Sequence, residues 1–401
     1  MFPSGLAGIK DHCSARSRGA DFLNNDAQKQ HLPVPGIAHG HGALVKTPCG
    51  GPMTTTPENF LQRTRAAKKI MVLDLGFLGD TVHLLPALWM IRRAYPSAEL
   101  HVTVAAHITS LLDCVPWVDR VWGYMRYPRH ATLRENFEMV ARLRKEKFDV
   151  LINLNGSDRS SWLTFFSGAR ERLGREPENG GPPFWKHMFT AHVRHPFKPE
   201  PIYIQRCRCL EKAGFPSAPP EFHVEIAAEN LRAAGISEAD TGTYFHISPF
   251  TTADYKELSP EQLAELVAEL EKNFPGIKIV LSCAPTAREL EKMEKLLPLL
   301  PQKPWRVLAG NLNLTQLAAV IQHSRLHFCG DTGPLHLAAM TRTPTVAWFW
   351  PNPGLAQWVP TGEKYRVLVG NNEPGAPYLA KIGTGELILA AQSVLAAAGK
   401  D

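Results

Sequence analysis

The 401-residue chain has no uninterrupted apolar run of the roughly 18 residues that a membrane-spanning helix needs. Its first ten residues, Met1–Lys10, lack the charged start and apolar stretch of a secretory signal. These absences lead us to expect a cytoplasmic protein. Cysteine is sparse: seven residues, an odd number, widely scattered, which is a poor disulfide framework. Cys207 and Cys209 form a C-x-C pair with His192, His195 and His223 nearby, but that spacing matches neither a zinc finger nor a zinc ribbon. A G-x-G-x-x-G fingerprint is missing, which argues against a Rossmann dehydrogenase. The C-terminal half has no Asp-x-Asp, so no divalent metal or other cofactor is expected to be required.

What is present describes an ordinary globular protein, 44% hydrophobic and 20% charged, of a length that suggests two domains. The net charge of +6 is mild, and no nucleic-acid partner is expected. The basic excess is uneven. Arg120 to Lys147 carries eight basic and three acidic residues, a local net of +5 that suits either an anionic partner or a solvated helix face.

Residues 1 to about 66 mix Gly, Pro, His, Ser and Asn without an apolar period, and read as a disordered extension. From Lys68 onward, short apolar runs alternate with helical patterns. Ile70–Leu75, Glu99–Val104, Val118–Trp122 and Asp149–Leu154 read as strands; Thr81–Arg93, Ile108–Cys114 and Leu133–Lys147 read as helices. Pro86 is expected to kink its helix or confine its start. Residues 174–220, rich in Gly and Pro, read as loops with helical pieces such as Tyr203–Ala213. A second alternation begins at Thr243. Its strands are Tyr244–Ser248, Ile277–Ser282, Arg306–Leu308, Leu326–Cys329 and Thr345–Phe349. Its helices begin near Ser259, Thr286, Leu314 and Leu335, with Glu386–Ala398 last. The expected fold is α/β, with two Rossmann-like parallel-sheet domains over 67–235 and 236–401 and a ligand cleft between them.

Three strand-to-helix junctions carry candidate chemistry. Gly76-Phe77-Leu78-Gly79-Asp80 lets a ligand approach the backbone; Asp80 suits either a helix cap or a general base. Ser248 to Lys256 offers Thr251, Thr252 and Lys256 beside a helix start, a set suited to phosphate. Gly330-Asp331-Thr332-Gly333-Pro334-Leu335-His336 is a second candidate anion site, with Asp331 or Thr332 as the alternative helix cap.

The run Leu78-Gly79-Asp80-Thr81-Val82-His83-Leu84-Leu85-Pro86-Ala87-Leu88 resembles the start of glycosyltransferase family 9, the heptosyltransferases of lipopolysaccharide core assembly. Gly330 to Ala338 resembles that family's donor motif, and Thr251-Thr252 with Lys256 its phosphate loop. The resemblance covers about Lys68 to Ala398. It implies a GT-B architecture and an inverting transfer. The donor would be a nucleotide sugar, ADP-heptose, and the acceptor a lipopolysaccharide inner core at the cytoplasmic face of the inner membrane. It assigns Asp80 as general base, with Gly79 and Thr81 in the acceptor-side loop. Thr251, Thr252, Lys256, Asp331, Thr332, Gly333, Leu335 and His336 become the donor and phosphate contacts. One departure stands out: the family usually has a Gly-Pro turn where this chain has Trp350-Pro351-Asn352-Pro353-Gly354, which sets a bulky ring at the nucleotide or sugar pocket. Trp358 resembles a tryptophan often found downstream in the family, and core packing is its other explanation. The rival functions are an epimerase on the same scaffold, a transferase of another sugar or onto a protein, and a non-catalytic sugar-nucleotide binder.

Overall fold

The computed structural model describes residues 57–127, 129–178, 180–196, 198–371 and 376–399. The His39–His41 segment, Cys13 and Cys49 lie outside the described residues. The first half runs α1 (Phe60–Thr64), β1 (Lys69–Leu73), α2 (Leu78–Ala94), β2 (Glu99–Ala105), β3 (Arg120–Tyr124), α3 (Leu133–Glu146), β4 (Val150–Asn153), α4 (Asp158–Phe166), β5 (Glu171–Arg175), β6 (Ala191–Val193), α5 (Ile202–Lys212) and α6 (Ala228–Ala233). The second half runs β7 (Tyr244–Ser248), α7 (Pro260–Asn273), β8 (Lys278–Cys283), α8 (Ala287–Leu296), β9 (Arg306–Ala309), α9 (Leu314–Gln322), β10 (Leu326–Gly330), α10 (Gly333–Met340), β11 (Thr345–Phe349), α11 (Leu355–Trp358), β12 (Tyr365–Val369) and α12 (Thr384–Ala398).

The strands form two six-stranded sheets, ordered β3-β2-β1-β4-β5-β6 and β12-β11-β10-β7-β8-β9. Every strand pairing within them is parallel. Counted from its own first strand, the second sheet has the same order as the first. In each, the chain reverses direction across the sheet between its first and fourth strands. Open parallel sheets bind ligands at that switch point, beyond the strand C-termini. The loops after β1 and β4, and after β7 and β10, are therefore where ligands are expected.

Local chemistry explains the element boundaries. Thr132 and Glu135 form a reciprocal capping box on α3, and Ser259 and Gln262 form another on α7, where Pro260 takes the first turn. Asn313 accepts the Gln316 amide at 2.8 Å and starts α9. Four expectations are corrected. First, α2 begins at Leu78 rather than Thr81, because the Asp80 carboxylate accepts the Phe77 amide at 2.9 Å and closes the first turn. Second, Pro86 does not confine the start of that helix; it lies in the interior of Leu78–Ala94, buried against the surrounding core. Third, Ala106–Cys114 is a 3-10 segment rather than an α-helix. Fourth, the extension does not reach residue 66. Phe60 is fully buried, the Leu61 amide donates to the Ala213 carbonyl, and Thr64 Oγ1 meets the Tyr95 hydroxyl, so α1 belongs to the first half's core.

The two halves share apolar packing. Leu84, Leu88 and Ile91 of α2 belong to the same buried cluster as Ala318 and Ile321 of α9 and Leu337, Ala338 and Met340 of α10. This contact runs alongside the two facing switch points.

Candidate active site

Asp80 sits in the first turn of α2, where β1 delivers it to the switch point. Its side chain is 26% exposed, enough to reach a ligand. Behind it lies a buried polar cluster. Arg206 of α5, almost fully buried, places Nη1 3.2 Å from Asp74 Oδ2 and Nη2 3.4 Å from Asp80 Oδ1, and also donates to the Asp80 carbonyl. Asp74 Oδ1 accepts the Gly76 amide at 2.8 Å and the Asn155 side-chain amide at 3.0 Å. Burial and the neighbouring Asp74 carboxylate push the Asp80 carboxyl above its ordinary range. Arg206, the Phe77 amide and Arg126 oppose that shift. A carboxylate raised in this way and still partly exposed suits proton acceptance from a hydroxyl.

Neither Asp74 nor Arg206 was among the sequence candidates. Asp74 is the last polar residue of an apolar strand run. Arg206 lies 126 positions after Asp80 on a helix with no motif, so only the fold could pair them.

The second switch point gathers the other candidates. Lys256 Nζ donates to Asp331 Oδ2 at 2.8 Å, which joins the loop after β7 to the loop after β10. Thr252 is exposed on the same loop. Thr251 is different: it is buried, its hydroxyl donates to the Ala253 carbonyl at 2.9 Å, and its amide donates to Glu257 Oε1 at 2.7 Å. Its side chain thus shapes the loop from inside. Glu257, also buried, is held by Arg288 at 2.9 Å and Lys292 at 2.6 Å, a buttress that sequence reasoning missed. Thr332 stands at the N-cap of α10 without a side-chain capping bond, so the helix start keeps its amides uncapped by that hydroxyl. Leu335 is fully buried among Cys329, Ala347 and Phe349, so its side chain serves the core.

The two switch points touch. A Cβ on Gly79 would lie 2.7 Å from the His336 ring, and one on Gly333 would lie 2.7 Å from Leu78 Cδ2. Only glycine lets the starts of α2 and α10 approach this closely. His83 Nε2 and His336 Nδ1 are 3.1 Å apart, a buried hydrogen bond across the halves. Burial lowers His336 to about 4, with Asp331 pulling the other way, and drives His83 well below the usual histidine range. The pair is therefore neutral at pH 7, one ring donating and the other accepting. The Thr81 hydroxyl next to Asp80 is buried with no hydrogen-bond partner. Trp358 packs edge-on against both histidines, at 5.4 and 5.5 Å between ring centres. A cavity of about 430 Å³ opens beside them, lined by His83, Tyr203, Trp358 and Tyr365. Trp350 lies edge-on to Tyr255, centroids 5.4 Å apart, next to Lys256.

The C-x-C pair is buried in α5, and burial pushes Cys207 to about 12 and Cys209 to about 11, so both remain neutral thiols at pH 7.

The profile of glycosyltransferase family 9 (heptosyltransferase) matches residues 137–381, more than half of the chain. The chain belongs to glycosyltransferase family 9. Within the family it is 26% identical over 283 residues to the lipopolysaccharide core heptosyltransferase OpsX of Haemophilus influenzae, covering 71% of this chain and 79% of that protein. It is 26% identical over 329 residues to lipopolysaccharide heptosyltransferase 1 of Pseudomonas aeruginosa, covering 79% and 87%. Among solved structures, the family 9 glycosyl transferase of Veillonella parvula superposes with a TM-score of 0.69 at 22% identity, covering 82% of this chain and 98% of that one. The E. coli heptosyltransferase WaaC with ADP gives 0.65 at 18% identity, covering 81% and 99%. The fold is GT-B, and the chain is a glycosyltransferase of the heptosyltransferase family. The profile match begins after the Asp80 loop, so the role of that loop rests on its geometry and its sequence motif.

Proposed function

We propose that this family 9 glycosyltransferase moves a heptose from ADP-heptose onto a lipopolysaccharide inner-core acceptor with inversion at the anomeric carbon. The observation that carries this reading is the approach of the two switch points. One bears Asp80, the other bears the Lys256–Asp331 pair, and Gly79 against His336 closes the gap. The acceptor hydroxyl attacks the anomeric carbon from the face opposite the diphosphate. Its proton passes to Asp80 as the new bond forms. The bond to the diphosphate breaks, and the departing ADP takes up the negative charge. Lys256, the Thr252 hydroxyl, the amides around Gly333 and the positive end of α10 stabilise that charge. A lysine and helix-end amides can do so without a divalent ion. Packing between the halves limits water at the reacting carbon and so limits donor hydrolysis.

A transfer assay with ADP-heptose and a heptose-free Kdo-lipid A acceptor, read by mass spectrometry, tests the reading. A gain of one heptose, absent in Asp80→Asn, supports it. Donor hydrolysis or no reaction with every lipopolysaccharide acceptor overturns it. Trp350, edge-on to Tyr255 where the family usually has a Gly-Pro turn, favours one variation, a donor with a different sugar or base. A panel of nucleotide sugars in the same assay decides between the two.

A further inference from the structure

The most exposed large apolar side chains among the described residues lie on the first half, at α3. Leu133 and Phe137, one turn apart on α3, are 79% and 73% exposed. Opposite them on α4, Trp162 and Phe166 are exposed and stacked, their ring centroids 5.6 Å apart and 14° from parallel. Exposed Phe165 lies edge-on to Phe166, and exposed Phe184 lies 5.6 Å from Trp162. A groove of about 340 Å³ runs between the two helices. An aromatic cluster of this size, left open to solvent, normally marks an interaction site.

Its position and its charged surroundings point to one occupant. The helices α3 and α4 follow β3 and β4, so they start at the same end of the sheet as the Asp80 loop. That end is tied together. Arg126, from the loop before α3, donates to the Leu75 carbonyl and covers the Phe77 ring at 4.3 Å, while His130 of the same loop meets Arg159 of α4 at 3.0 Å. Around the apolar groove basic residues are in excess. Arg159 lines it beside exposed Asp158, Arg144 packs against Gly168 just past α4, and exposed Arg170 follows, 4.0 Å from Asp149. The acids of Arg120–Lys147 are taken up locally: Glu135 by Arg129, Glu138 by Arg134, and Glu146 by Lys69 and Arg120. Aromatic and aliphatic side chains rimmed by arginine match the interface of an anionic bilayer. There the rings enter the headgroup boundary, and the guanidinium groups meet phosphate.

We propose that the α3–α4 face docks on an anionic lipid bilayer and thereby presents the Asp80 loop to a lipid-borne acceptor. The membrane contact rests on the surface alone; its purpose rests on the transfer reaction proposed above. Co-sedimentation of the full chain with phosphatidylcholine vesicles, with and without phosphatidylglycerol, tests it. Association with the anionic vesicles is expected. It should fall on the order of tenfold in Trp162→Ser/Phe166→Ser, since two rings leave the interface. Arg159→Glu/Arg170→Glu should abolish the preference for phosphatidylglycerol. All of these side chains are exposed, so an unchanged melting temperature verifies folding. Turnover on a delipidated acceptor should stay unchanged in the aromatic variant, while turnover on the same acceptor in vesicles drops. Equal vesicle binding by wild type and the aromatic variant overturns the proposal. So does a wild-type dimer that this variant dissolves without any vesicle binding. Vesicle binding that persists while no lipopolysaccharide acceptor is glycosylated leaves the surface intact and removes only the proposed reaction.

Discussion

Arg206 Nη2 lies 3.4 Å from Asp80 Oδ1, although 126 residues separate the two in the chain. The same guanidinium reaches Asp74, so one buried cation holds two carboxylates of which only Asp80 is open to solvent. This arrangement sets both the position and the proton affinity of Asp80.

The two neighbours act on Asp80 in opposite directions, and pH profiles should separate them. Arg206 lowers the Asp80 pKa and Asp74 raises it. A base works only when deprotonated, so activity falls as pH drops through that pKa. In Arg206→Gln the acid limb of kcat/KM should move to higher pH by about one unit or more, and in Asp74→Asn it should move to lower pH. Arg206→Lys, which keeps the charge, should stay closer to wild type. Identical acid limbs in all three would show that the cluster is only structural.

Asp80→Asn preserves size but cannot accept the proton. Its kcat should fall by roughly 10²- to 10⁴-fold while donor affinity changes little. Calorimetry with the donor and single-turnover kinetics provide the two readouts. Turnover near the wild-type value would remove Asp80 from the mechanism.

Lys256 is paired with Asp331, so the two substitutions should not be additive. Lys256→Ala leaves the Asp331 carboxylate unpaired beside the expected diphosphate, and ADP affinity should drop about tenfold or more. Adding Asp331→Asn removes that repulsion, so the double variant should bind ADP more tightly than Lys256→Ala alone. ADP titrations of the four proteins complete the cycle. Additive losses would place the two residues in separate roles.

The His83–His336 bond predicts a stability that depends on pH. Both rings are neutral in the fold, with His336 lowered to about 4, while in the unfolded chain each titrates near the ordinary histidine value. The unfolded state therefore binds more protons as pH falls below about 6.5. Folding stability should decline from there toward pH 4, by an amount on the order of 3 kcal/mol for His336 alone. The buried pair His246 and His327, also lowered, contributes in the same direction. Melting temperatures measured across this range should fall less steeply in His336→Gln than in wild type. Equal slopes would contradict the buried, neutral state of the ring.

The sequence alone was enough to recognise two α/β halves, because buried parallel strands are short apolar runs and their helices carry a 3.6-residue period with capping residues such as Ser259 and Asn313. It was also enough for the three junctions, since glycine next to a polar residue between a strand and a helix is a local pattern. Strands β5 and β6 escaped notice. Glu171–Arg175 is mostly polar and Ala191–Val193 is only three residues long, and both become strands only by pairing with neighbours already in place. Likewise α1 was hidden at the edge of a Gly- and Pro-rich extension, and Phe60 is buried in one cluster with Cys209 and Leu210 of distant α5. What the tertiary structure alone decided is where side chains meet. It paired Arg206 with Asp80, turned Thr251 into its own loop, gave Leu335 to the core, set His83 against His336, and left Trp162 and Phe166 on the surface. Periodicity and motif are properties of neighbouring residues and can be read along the chain. Contacts across 126 or 253 positions depend on how the whole sheet packs.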